Sequence, residues 1–132
     1  MSLITDVIDG LNAERKEANL PPLTANNLLM QTAQQHAEFM ERKQALSHLG
    51  AGRTTFDQRI HSVGYNFSTA AENVALGAVN AAGVVKMWMD SPPHRANILN
   101  DKVTDVGLGI SPRTPEKPEV MRYWSLSLAA PR

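Results

Sequence analysis

Glu72 constrains the fold of this chain more than any other residue. It stands in the run from Ala70 to Gly77, which otherwise reads as an apolar strand. A carboxylate set among apolar neighbours must be neutralised, or must meet a cation, a metal or several N–H donors. Other segments therefore have to deliver its partners. Backbone amides or Arg95 would make it a structural carboxylate holding a loop. A set of distant polar side chains would make it part of a site. On the residues alone the two roles stand level.

The segments that could deliver partners follow from periodicity and breakers. Leu3, Ile4, Val7, Ile8 and Leu11 recur at helical spacing, with Asp6, Asp9, Glu14, Arg15 and Lys16 placed off that stripe. Pro21 and Pro22 stop this first helix near Asn19. Thr24 to Asn26 cap a second helix with an apolar stripe of Leu29, Ala33, His36, Ala37 and Met40, ending by Ala45. A glycine-bearing loop follows from Ser47 to Gly52. Thr54 to Asp57 open a short third helix, with Phe56, Ile60 and Val63 on one side, that ends at Gly64. Asn80 caps a fourth helix from Ala81 to Asp90, with Val84, Val85 and Trp88 inward. Ser91 then caps a short turn through Leu99, with Pro92 at its first position.

Val106, Leu108 and Ile110 alternate with Gly107 and Gly109, which is a strand pattern. Pro112, Pro115 and Pro118 predict an exposed hairpin loop from Ser111 to Glu119. Met121 to Leu128 reads as a last strand with Tyr123 on one face and Trp124 and Leu126 on the other, which predicts a sheet covered on both sides. Helices come mostly first and strands mostly last. The expected fold is α+β, one domain over residues 1–132, with helices on both faces of an antiparallel sheet.

Composition narrows the function. Thirteen basic residues balance thirteen acidic ones, so the chain has no electrostatic footprint for nucleic acid or an anionic membrane surface. It has no cysteine, which excludes a disulfide framework, a thiolate metal site and a cysteine nucleophile. No run approaches the ~18 apolar residues of a membrane span. The expectation is a monomer or weak dimer.

Two histidines stand on special loops, His48 in the glycine-bearing loop and His94 beside Pro92-Pro93. No local pair of metal-spaced histidines exists, so any site is assembled from distant segments. His36 reads as a packed histidine bonding a backbone carbonyl, and His61 as solvated. Ser47-His48 and Ser91/His94 are conceivable nucleophile–base pairs, but neither serine sits in a Gly-x-Ser-x-Gly elbow. Arg95 and Asn97 flank His94 and are expected to tie down its turn.

Taken in order, Leu11-Asn12-x-Glu14-Arg15, Leu20-Pro-Pro-Leu23, the helix from Leu29 to Met40, Ser47-His48, Arg59 to Gly64-Tyr65, Glu72-Asn73, Trp88-Met-x-Ser91-Pro-x-His94-Arg95-x-Asn97-Ile98-Leu99, Val106-Gly-x-Gly109 and Tyr123-Trp124 cover nearly the whole chain. In this it resembles the CAP superfamily of cysteine-rich secretory, antigen 5 and pathogenesis-related 1 proteins, and most of all its cysteine-free bacterial SCP-like branch. The resemblance implies an α-β-α three-layer sandwich with a central antiparallel sheet and a large cleft. It places His48, Glu72 and His94 at three of the cleft's four polar positions. The fourth, acidic in the family, falls on Ser91, with Asp90 the adjacent acid. Asn73, Asp90, Arg95 and Asn97 would support the cluster.

The resemblance also implies that His48, His94 and Glu72 could take a divalent metal such as zinc, weakly. It implies an extracellular or cell-envelope location, with any leader trimmed from this chain. Three functions stay open. The first is a module binding an unidentified lipid, glycan or protein ligand. The second is a metal-assisted hydrolase with Glu72 as the candidate catalytic carboxylate. The third is an interaction domain whose polar cluster is purely structural. One fold hosts many activities, so the resemblance bears on fold before function.

Overall fold

A computed structural model describes residues 2–112 and 122–132. Its elements run α1 (Leu3–Glu17), β1 (Thr24–Ala25), α2 (Asn27–Lys43), a 3₁₀ turn (Ala51–Arg53), α3 (Phe56–Ser62), β2 (Phe67–Leu76), α4 (Ala81–Met89), α5 (Pro92–Ile98), β3 (Asp105–Ile110) and β4 (Tyr123–Pro131). The sheet order is β1-β3-β4-β2. β4 pairs antiparallel with both β2 and β3. The two-residue β1 is the exception, pairing parallel with β3.

Both sheet faces are covered. On one face Val106, Leu108, Trp124, Leu126 and Leu128 pack with Val7, Leu11, Val84 and Trp88 of α1 and α4. On the other face α2 lies directly on β3. A Cβ built at Gly107 would stand 2.1 Å from the carbonyl carbon of Leu29, and one at Gly109 2.3 Å from the carbonyl oxygen of Ala33. The alternating glycines therefore form a track for a helix backbone.

The stripe Leu29, Ala33, His36, Ala37 and Met40 is buried, as its spacing predicts. Asn26 caps α2 by accepting from the Leu28 and Leu29 amides. Thr24 and Ala25 are not part of that cap but the β1 strand, because Thr24 N–H and Asn26 N–H donate to the carbonyls of Thr104 and Val106. Arg15, expected off the apolar stripe, is buried. Its guanidinium donates to the carbonyls of Pro21, Ile98, Asn100 and Val103 and ties α1 to the segment after α5. Ser111, expected to open an exposed loop, is buried and extends the β3–β4 pairing through two bonds to Tyr123. The rest of that expected loop from residue 113, and Met121 at the start of the last strand, lie outside the described residues.

β2 is an edge strand, and side chains alternate across it. Glu72 stands opposite Ser127, which stands opposite Gly107, so Glu72 faces the α2 side. Asn73 stands opposite Leu126 and faces the side of α1, α4 and α5. One register step thus sends two adjacent polar residues into different layers.

Candidate functional site

Glu72 is fully buried at the side chain, and its partner cation is Arg59 of α3 rather than Arg95. Nη1 of Arg59 donates to Oε2 at 2.7 Å and Nη2 to Oε1 at 3.2 Å, a two-pronged clamp. Nη2 also donates to the His48 carbonyl, so one guanidinium holds both the carboxylate and the loop carrying His48. Nδ1–H of His48 donates to Oε1 at 3.0 Å. Gly50 makes room for this arrangement, since a Cβ there would stand 2.7 Å from Nε of Arg59.

On the same side, His36 donates Nε2–H to the Ser47 carbonyl at 2.7 Å, the backbone bond expected of it, and lies 3.9 Å from Oε1 of Glu72. Across the strand, Asn73 donates to the His94 carbonyl at 3.0 Å and accepts from Asn97 at 2.8 Å. Asn73 and Asn97 thereby fix α5 against β2. His48 and His94 reach the edge strand from opposite layers, close enough for charge on one to act on the other.

Electrostatics separate the two imidazoles. Burial pushes the Glu72 carboxyl up, but the bonds from His48 and Arg59 outweigh it and hold the group below its usual 4.5. The bond to Glu72 pushes His48 up against partial burial. Burial first, and then the charge on His48, push His94 down.

The expected titration has His48 with a midpoint above ~6.5 and His94 below it. In Glu72→Gln the His48 midpoint falls. Imidazole NMR across pH checks this, and coincident midpoints in the native protein would contradict it. The Glu72–His48 contribution to stability is fully present below the unfolded imidazole value and is lost as pH rises through His48's folded midpoint. It is small, because the His48 side chain is 54% exposed. The Glu72 contribution is present above 4.5 and is lost as pH falls through the depressed folded value.

The remaining candidates lie elsewhere. Asp90 is exposed and pairs with Lys86 one helical turn away at 2.6 Å. With Arg95 it lines a groove of about 650 Å³ between α1 and α4, whose lining does not include His48, Glu72 or His94. Ser91 occupies the N-cap position of α5, but its side chain makes no capping bond. Ser47 accepts from the Leu49 amide within its own turn. His61 is exposed, as expected.

The donor set does not fit a three-ligand zinc site as arranged. Both oxygens of Glu72 are engaged by Arg59 and His48, and Nδ1 of His48 faces that carboxylate. Among the described residues no three His, Asp or Glu side chains are placed to hold a metal ion. His48 and His94 would then be two ligands where zinc takes three or four from protein.

Arg59 is the residue that sequence reasoning missed as a partner. It belongs to a seven-residue helix, too short for periodicity to assign its inward side.

The profile of the cysteine-rich secretory protein family (CAP) matches residues 8–125. YkwD of Bacillus subtilis (strain 168) is 35% identical over 103 residues, covering 78% of this chain and 40% of that protein. The membrane protein YlbC of the same organism is 27% identical over 104 residues, 79% of this chain and 30% of that one. The chain therefore spans well under half the length of these two relatives. Among solved structures, an outer surface protein of Borrelia burgdorferi matches with a TM-score of 0.87 at 21% identity, covering 100% of this chain and 97% of that one. An extracellular SCP-domain protein of Bacillus anthracis matches at 0.84 and 23%, covering 97% of this chain and 40% of that one. At these identities the two structures bear on the fold alone, which is the α-β-α sandwich. No described helix is long and apolar enough to cross a membrane.

Proposed function

The chain belongs to the cysteine-rich secretory protein (CAP) family, and on that premise we propose that it is an exported binding module that takes its ligand at the edge of β2, in a cleft between His48 and His94. The observation that carries this reading is the state of His48. Its side chain is more than half exposed, yet a fully buried carboxylate and a bond to its own carbonyl fix it in place. Arg59 already neutralises Glu72, so the charge of Glu72 does not require His48. An exposed imidazole held this firmly is pre-organised to meet a partner.

A hydrolase has less support. Among the described residues no serine hydroxyl is hydrogen-bonded to either imidazole, so no side-chain nucleophile is held by a base. The extracellular and outer-surface descriptions of the two structural neighbours support export.

The test follows the His48 and His94 imidazole resonances while phosphatidylglycerol vesicles, muropeptide fragments and zinc are added separately. The expected result is that a lipid or muropeptide probe perturbs both imidazoles and that His48→Ala/His94→Ala abolishes its binding. Zinc should bind more weakly than ~10 μM, and more weakly still at about pH 5.5, where imidazole protonates. Probes that bind while leaving both imidazoles untouched, or equally well to the double variant, would overturn the reading.

A further inference from the structure

Among the described residues three buried side-chain polar atoms have no partner, Nδ1 of His36, Nε of Arg59 and Oγ of Ser125, and the first two belong to α2 and α3. Buried polar atoms are rarely left this way in folded proteins. His36 and Arg59 both line one surface recess of about 360 Å³, together with Gln35, Phe39, Arg42, Ala51, Thr54 and Ser62. That volume falls within the ~300–1,000 Å³ range of small-molecule sites and is about ten times the space of one water.

The two atoms make complementary demands. His36 gives its Nε2–H to the Ser47 carbonyl, so the neutral ring carries a lone pair on Nδ1 and can only accept there. Burial favours that neutral form. Nε–H of Arg59 can only donate. A group that satisfies both must accept one hydrogen bond and donate another. A hydroxyl does so. A carboxylate or a phosphate dianion would turn an oxygen lone pair toward Nδ1, and an ammonium group cannot accept from Nε.

We propose that this recess is a second binding site, separate from the β2 edge, that takes a saccharide, with one hydroxyl bridging Arg59 and His36 and the wall formed by Phe39 and Arg42 against the rest of the sugar. Phe39 is half-buried and lies nearly parallel to the His36 ring at 6.2 Å. Gln35, Thr54 and Ser62 supply amide and hydroxyl groups for further sugar hydroxyls. No carboxylate lines the recess, whereas Arg42 does, and the charged ends of Arg42 and Lys43 each stand 6.0 Å from the centre of the Phe39 ring, which disfavours a cationic ligand.

Both nitrogens are covered in this structure, and the backbone at Gly50 lies against Nε of Arg59. Admission of the hydroxyl therefore requires the adjoining exposed turn to yield. That turn holds Gly52 and Arg53 in left-handed backbone conformations, φ 68 and 63, of which the second is strained for a residue with a side chain.

The test adds methyl β-glucoside, methyl β-galactoside and N-acetylglucosamine separately to the isotope-labelled chain. At least one sugar should shift the backbone amides of Gln35, Phe39 and Thr54 and move the Nδ1 resonance of His36 upfield. Phe39→Leu should weaken its binding about tenfold. Gln35→Ala, at an exposed position, should weaken it too, which keeps the test intact if Phe39→Leu disturbs α2. The proposal is overturned if no sugar moves these resonances at millimolar concentration, if an ordered water alone bridges the two nitrogens, or if both variants bind as the native chain does.

Discussion

Gly107→Ala should cost about 3 kcal/mol or more, or remove the cooperative urea transition altogether. Overpacking usually costs ~1–3 kcal/mol because side chains and backbone can shift a little. Here the new methyl meets backbone: the Leu29 carbonyl carbon at 2.1 Å, its oxygen at 2.3 Å and the Met30 nitrogen at 2.4 Å. These atoms belong to the first turn of α2, whose position is also set by the Asn26 cap and by bonds from Gln34 to the backbone of Ile110. To admit the methyl, α2 must rise off the sheet, and the loop presenting His48 follows α2 in the chain. Gly10→Ala is the matched comparison. A Cβ there meets only the tip of Val85 at 3.2 Å, and the helix gains propensity, so the net change should stay within about 1 kcal/mol. Urea unfolding of both variants measures the difference. Equal effects would mean that α2 does not rest on the glycine track.

Arg59→Leu should cost about 3–5 kcal/mol at neutral pH. It leaves a carboxylate with no exposed surface and only His48 as a close partner. It also releases the His48 carbonyl, so the loop loses an anchor. The Glu72 carboxyl should then titrate well above its depressed native value, because burial acts on it with less opposition. Arg59→Lys keeps the charge but loses the two-pronged geometry, so it should fall between leucine and the native residue. Urea midpoints at neutral pH order the three. A native-like midpoint for Arg59→Leu would mean that the charge of Glu72 is met in some other way.

Much of the fold was legible because local chemistry dictates it. The apolar stripe of α2, the caps at Asn26 and Asn80, the breaks at Pro21-Pro22 and Pro92-Pro93, and the Val106–Ile110 alternation each act over a few residues. Arg15 was not legible, since charge suggests solvent, and three of the four carbonyls that justify its burial come from the distant segment 98–103, the fourth being that of Pro21. β1 was hidden because two residues carry no period.

The site divides in the same way. An isolated carboxylate in an apolar strand announces that it needs a cation. Its identity as Arg59 depends on how α3 packs against β2. That His48 and His94 arrive from opposite layers follows from β2 being the edge strand, which is a property of strand order.

The central claim is that the two imidazoles serve a ligand while Arg59 and Glu72 serve the fold. Urea unfolding of His48→Ala/His94→Ala at neutral pH tests it most directly. If the claim holds, the double variant stays within about 1 kcal/mol of the native protein, as expected for half-exposed side chains whose removal leaves Glu72 clamped by Arg59. A loss as large as that of Arg59→Leu would contradict it and make the histidines part of the framework.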